Sequence, residues 1–178
     1  MFYLLILRRF YEKNSVMKKS KSLNKKSKGL NKNYMRSICQ LEGWDWKGEK
    51  ITVEDDGMIA FRFYKLTQKP LTDLSPADID FLIIQKRGLP YLVPMALDIL
   101  EEDFFIEADD YNGDLVLNLL RLSDYNNDEY WSNHPVEKAR FCEMYKSNQQ
   151  NMEEALDVSV SRHIIKKIRK LFDKFCEQ

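Results

Sequence analysis

The chain has 178 residues, with 28 basic and 28 acidic side chains and no net formal charge. That length fits one domain with an appendage, and an apolar content of 44% excludes a chain disordered throughout. Six glycines and five prolines are too few for a collagen-like or turn-dense all-β fold, and no apolar run is long enough to cross a membrane.

The neutral total conceals a division along the chain. Residues 1–36 carry eleven Lys/Arg and one acid, residues 37–157 carry eleven against twenty-five, and residues 158–178 carry six against two. An acidic middle therefore lies between basic ends. An acidic surface repels nucleic acid and suits a basic partner.

Met1-Phe-Tyr-Leu-Leu-Ile-Leu precedes Arg8-Arg9, so the charges follow a short apolar run, which is the wrong order for a secretory signal. Residues 13–36 are mostly Lys, Ser and Asn without a helical or strand period. Residues 1–36 are thus expected to be a disordered basic tail, or to precede the true start, since Met17 and Met35 lie inside them. Such a tail has weak non-specific affinity for polyanions. The domain is expected to span 37–178.

Within that domain Ile38, Leu41, Trp44 and Trp46 predict a short helix and an aromatic turn. Residues 55–66 suit either a strand or a helix, and helix is the better reading in a helical chain. Ser75-Pro76-Ala77-Asp78 is a helix start, with a capping hydroxyl, a proline at the first position and an acid near the positive end of the dipole. Gly88 ends that helix. Pro90 opens the next, with Pro94 placed in its first turn. From Tyr91 to Leu100 only Pro94 and Asp98 break an apolar run, so this helix is central. Leu115–Leu120 makes a second central helix, and Pro135 starts another that reaches about Gln150. Ile164, Ile165, Ile168, Leu171, Phe172 and Phe175 form the apolar face of a last helix whose other faces are basic. The expected architecture is an all-α bundle of about six or seven helices.

Chemistry is sparse. Cys39, Cys142 and Cys176 are odd in number and widely spaced, so single buried thiols are expected and neither a disulfide framework nor a metal motif is evident. The two histidines, His134 and His163, have no ligand at metal spacing and are expected to be structural. No nucleotide, metalloprotease or nucleophile-elbow motif occurs. No enzymatic activity, cofactor or metal is expected.

The unusual feature lies between Arg87 and Arg121, where no Lys or Arg occurs and eight acids do: Asp98, Glu101, Glu102, Asp103, Glu107, Asp109, Asp110 and Asp114. Phe104, Phe105 and Tyr111 are interleaved with them. A solvated loop is one reading, although Glu101–Asp103 sit at the unfavourable end of a helix dipole. A calcium loop is another, but the DxDxDG spacing and the twelfth-position Glu are missing. The third is a docking surface for a basic protein, with acids that steer and an aromatic anchor.

Leu41-Glu-Gly-Trp-Asp-Trp46, Lys69-Pro-Leu71, Leu89-Pro-Tyr-Leu-Val-Pro-Met-Ala-Leu-Asp-Ile-Leu-Glu101, Tyr111-Asn-Gly-Asp-Leu115 and Tyr130-Trp-Ser-Asn-His-Pro135 occur here as an ordered set. Together they resemble a family of contact-dependent growth inhibition (CDI) immunity proteins over about residues 38–145. The resemblance implies a small, cytoplasmic, non-enzymatic helical protein without membrane insertion. Its partner would be the C-terminal domain of a cognate toxin, often a nuclease. The expected partner-binding residues are Glu101, Glu102, Asp103, Glu107, Asp109, Asp110, Tyr111 and Asp114. The competing function is a nucleic-acid-associated protein acting through the basic tail and last helix.

Overall fold

A capping box opens the first α-helix: the Ser37 hydroxyl accepts the Gln40 N–H at 3.3 Å, and the Gln40 side-chain Oε1 accepts the Ser37 N–H at 2.9 Å. Helix α1 (Ile38–Glu42) ends at Gly43, whose φ of 71° is left-handed. The computed structural model describes residues 32–123, 129–155 and 161–177. Among these residues the regular structure is all helical, and the only β features are isolated bridges. The described residues fall into two compact units, divided between Thr72 and Asp73.

In the first unit, the one-turn 3₁₀ helix Lys32–Met35 precedes α1. The expected tail lies outside the described residues up to residue 31. Its last residues do not: the Arg36 carbonyl accepts the Leu71 N–H at 3.0 Å, and Ser37 bridges Pro70. Helices α2 (Val53–Asp56) and α3 (Met58–Thr67) occupy the ambiguous stretch. It is helical on both sides of a break at Gly57, where φ is 84°. Helix α3 buries Ala60, Phe63, Leu66 and Thr67. The Trp46 indole N–H donates to the Thr67 hydroxyl at 3.1 Å, and that hydroxyl donates to the Phe63 carbonyl at 3.0 Å, so the buried polar groups satisfy one another.

The second unit begins with α4 (Pro76–Ile84), started by the Ser75 cap and Pro76 as the sequence indicates. Helix α5 (Leu89–Glu102) packs against α4 and against α8 (Pro135–Ala155). It buries Leu92, Val93, Ala96, Leu97 and Leu100. Pro94 is not in its first turn. With Gly88 as the cap the helix starts at Leu89, so Pro94 lies in the interior, one turn beyond the expected place. Helix α6 (Asp114–Arg121) is buried from Asp114 to Leu120 and contacts α4, α5 and α9 (Arg162–Glu177). Short α7 (Glu129–Asn133) sets Trp131 into the core, where its indole N–H donates to the Leu119 carbonyl at 3.2 Å and its ring stacks on Phe141. Six of the nine described α-helices have eight residues or more, close to the number expected.

The expectation of free thiols fails for two of the three cysteines. Helices α8 and α9 pack together and bring Cys142 and Cys176 to a Cα–Cα distance of 6.0 Å, where they form a disulfide. Sequence spacing cannot show this, because the two cysteines lie 34 positions apart on two different helices. Cys39 is free and buried. Burial pushes its thiol pKa up.

Candidate protein-binding site

The acidic stretch is a helix end, a loop and a helix start, and one buried carboxylate organises it. Asp114 is 2% exposed. Its Oδ1 accepts the N–H groups of Ala108 at 3.0 Å and Leu115 at 2.7 Å. Its Oδ2 accepts those of Asp109 at 2.9 Å, Asp110 at 2.8 Å and Tyr111 at 3.3 Å. Burial alone would raise this pKa, but the backbone donors at Asp110, Asp109, Ala108 and Tyr111 outweigh it and hold the group below the usual carboxylate range. The loop interior therefore presents N–H dipoles to an anion, a polarity opposite to that of a calcium loop. Among the described residues no group of His, Cys, Asp and Glu is placed to hold a metal ion.

Gly113 makes this turn possible. Its φ is 86°, its N–H donates to the Ile106 carbonyl at 3.0 Å, and Glu107 bridges Asn112. A Cβ there would also lie 3.4 Å from Ile168 and 3.5 Å from Ile164, so α9 packs directly behind the loop.

The expected contact residues separate by environment. Glu102, Asp103, Glu107, Asp109 and Asp110 are exposed and Tyr111 is half-buried. Asp103 ends α5, and its carboxylate accepts the Phe105 N–H at 3.0 Å. Asp109 also interacts within the chain. Two residues are committed elsewhere. Asp114 is buried beneath the loop. Glu101 is exposed but bound to Arg140, whose Nε donates to Oε1 at 2.8 Å while its Nη2 lies 2.8 Å from Oε2 and 2.7 Å from Asp98. Bonding to Arg140 lowers the Glu101 pKa. The cation from α8 also offsets the dipole penalty that made these acids unusual. Of the interleaved aromatics, Phe104 is buried against Phe105 and Phe172 and offers no anchor.

Two features escaped the sequence reading. Arg140 is one. The other is a polar link inside the core: Asn118 Nδ2 donates to both oxygens of Asp80, at 2.9 and 3.0 Å, and Arg121 donates to the Asn118 side-chain Oδ1 at 2.8 Å. A signal was present at Asn118, a lone polar residue inside the apolar run Leu115–Leu120.

Elsewhere, His134 stacks on Tyr130 and bonds its carbonyl at 2.7 Å, while His163 is exposed on α9. Helix α9 buries Ile165, Ile168, Phe172 and Phe175 and exposes Arg162, Lys166, Lys170 and Lys174. A groove of about 570 Å³ beside the disulfide is lined by Trp131, Pro135 and Ala139 with Lys138 as its charged group, and offers no acid–base pair. No described helix is long and apolar enough to cross a membrane.

Exposed carboxylates held on an ordered loop suit contact with a basic surface. A family model described as CDI immunity proteins matches residues 40–140. The chain belongs to that family, and immunity to a toxin is the function that membership carries. No curated protein and no solved structure matches the chain.

Proposed function

We propose that the protein neutralises the C-terminal toxin domain of a CDI effector by direct binding, without catalysis, in the cytoplasm of the cell it protects. The acidic loop makes first contact. The observation that carries this reading is the display of Glu102, Asp103, Glu107, Asp109 and Asp110 on a turn held by a buried anion. Exposed carboxylates contribute little to folding. They do raise the local negative potential and speed capture of a basic surface. A nuclease, whose cleft must attract phosphate, is the toxin class this charge suits best. Tyr111 supplies the aromatic contact at the loop edge.

The test is the association rate with the cognate CDI toxin domain, measured against ionic strength. Reversing Glu107 and Asp110 to Lys avoids the internally bonded acids. It should slow association at low salt by about tenfold or more and flatten the salt dependence, with the melting temperature unchanged. Superimposable curves for wild type and variant would place the interface elsewhere. The same series with duplex DNA as ligand tests the nucleic-acid reading, which requires binding that weakens steeply with salt.

A further inference from the structure

The first unit carries an apolar patch that folding does not use. Val53, Met58 and Ile59 are 36%, 65% and 53% exposed, three large apolar side chains within seven residues. Isolated exposed apolar residues are ordinary, but a cluster with a charged border marks an interaction surface. The local backbone explains the exposure. Thr52 caps α2: its hydroxyl accepts the Asp55 N–H at 3.2 Å, and its own N–H donates to Asp56 at 3.1 Å. Gly57 then breaks the chain, and α3 restarts at Met58 with Ala60 and Phe63 turned to the core. Met58 and Ile59 are left on the other side. A Cβ built on Gly57 meets nothing within 4 Å, so the corner is open.

The border is acidic. Glu54 and Asp55 follow Val53 in α2 and are exposed beside it, and residues 45–56 hold five acids against two lysines. The corner also lies inside the residues matched by the family model. We infer that the α2–α3 corner is a second docking surface for the toxin domain, taking an apolar side chain of that domain flanked by Lys or Arg. This rests on the proposed function but not on the acidic loop. The loop governs the rate of capture. The corner, through apolar burial, governs the rate of release.

The experiment compares wild type, the E107K/D110K variant and a Met58→Ser, Ile59→Ser double variant against the same toxin domain. Association rate, dissociation rate and melting temperature are read for each. Loss of two buried apolar side chains should speed dissociation by roughly tenfold or more, with association and melting temperature unchanged. Should the double variant melt early, Met58→Gln keeps the chain length and helix propensity and should shift dissociation in the same direction. Dissociation equal to wild type overturns the inference while leaving the loop proposal standing. A wild-type dimer that the double variant splits assigns the patch to a second copy and also overturns it. Absence of any toxin binding by wild type removes both readings.

Discussion

Asp80→Asn isolates the cost of a carboxylate buried in the core against a single side-chain amide. Asp80 is 1% exposed and is held by Asn118 alone. Burial raises its pKa from 3.8 to about 6, the Asn118 bond opposing and repulsion from Asp114, Asp109 and Asp110 adding to the rise. That rise corresponds to about 3 kcal/mol. The folded protein keeps this proton up to about pH 6, whereas the unfolded chain releases it near 3.8. Between those values the folded state binds more protons, so the Asp80 contribution to stability falls as pH rises and stays low above pH 6. The asparagine variant lacks this term. Urea denaturation of both proteins between pH 4 and pH 7 should show the variant gaining about 3 kcal/mol on wild type across the series. Any fixed offset from altered hydrogen bonds cancels, because only the slope is read. A stability difference independent of pH would refute the assignment.

Asp114→Asn places an amide N–H₂ against backbone donors and should destabilise by about 3 kcal/mol or more in denaturant titration. Because the wild-type Asp114 pKa is depressed, its contribution is intact above the ordinary carboxylate value and is lost as pH falls through the folded value; the wild-type advantage over the variant should shrink accordingly below about pH 4. Cys142→Ser opens a crosslink spanning 34 residues. It should lower stability by about 3–4 kcal/mol in oxidising buffer, a difference that disappears when both proteins are held in excess dithiothreitol. Pro94→Ala restores an amide donor inside α5 and should stabilise by about 1 kcal/mol by thermal melt; destabilisation would show that the proline ring packs more favourably than the helix bond it displaces.

Helices with a punctuated start were legible in the chain. Ser75-Pro76 and the apolar stripe from Ile164 to Phe175 are local signals, and their elements lie where those signals put them. Helix α5 shows the limit. Pro90 is compatible with several early positions, and only the left-handed Gly88 fixes the count that places Pro94 in the interior. Long-range pairings left no trace. Nothing near Cys142 specifies Cys176, and nothing near Glu101 specifies Arg140, because both depend on how α8 meets its neighbours. The acidic stretch was visible as composition. Its division into a buried organiser and an exposed rim was not, since charge counts do not distinguish a carboxylate that binds its own backbone from one that faces water.

That division separates the frame of the loop from its message. Asp114 and Gly113 set the turn through backbone atoms, which every residue between Ala108 and Asn112 supplies alike. The side chains at Glu107 and Asp110 can therefore be exchanged with little effect on the path of the chain. If the rim carries recognition, as proposed, lineages that face different toxins can rewrite it one residue at a time, each step leaving the fold intact. Drift at the rim with constancy at Gly113 and Asp114 is the pattern such a loop would leave among relatives.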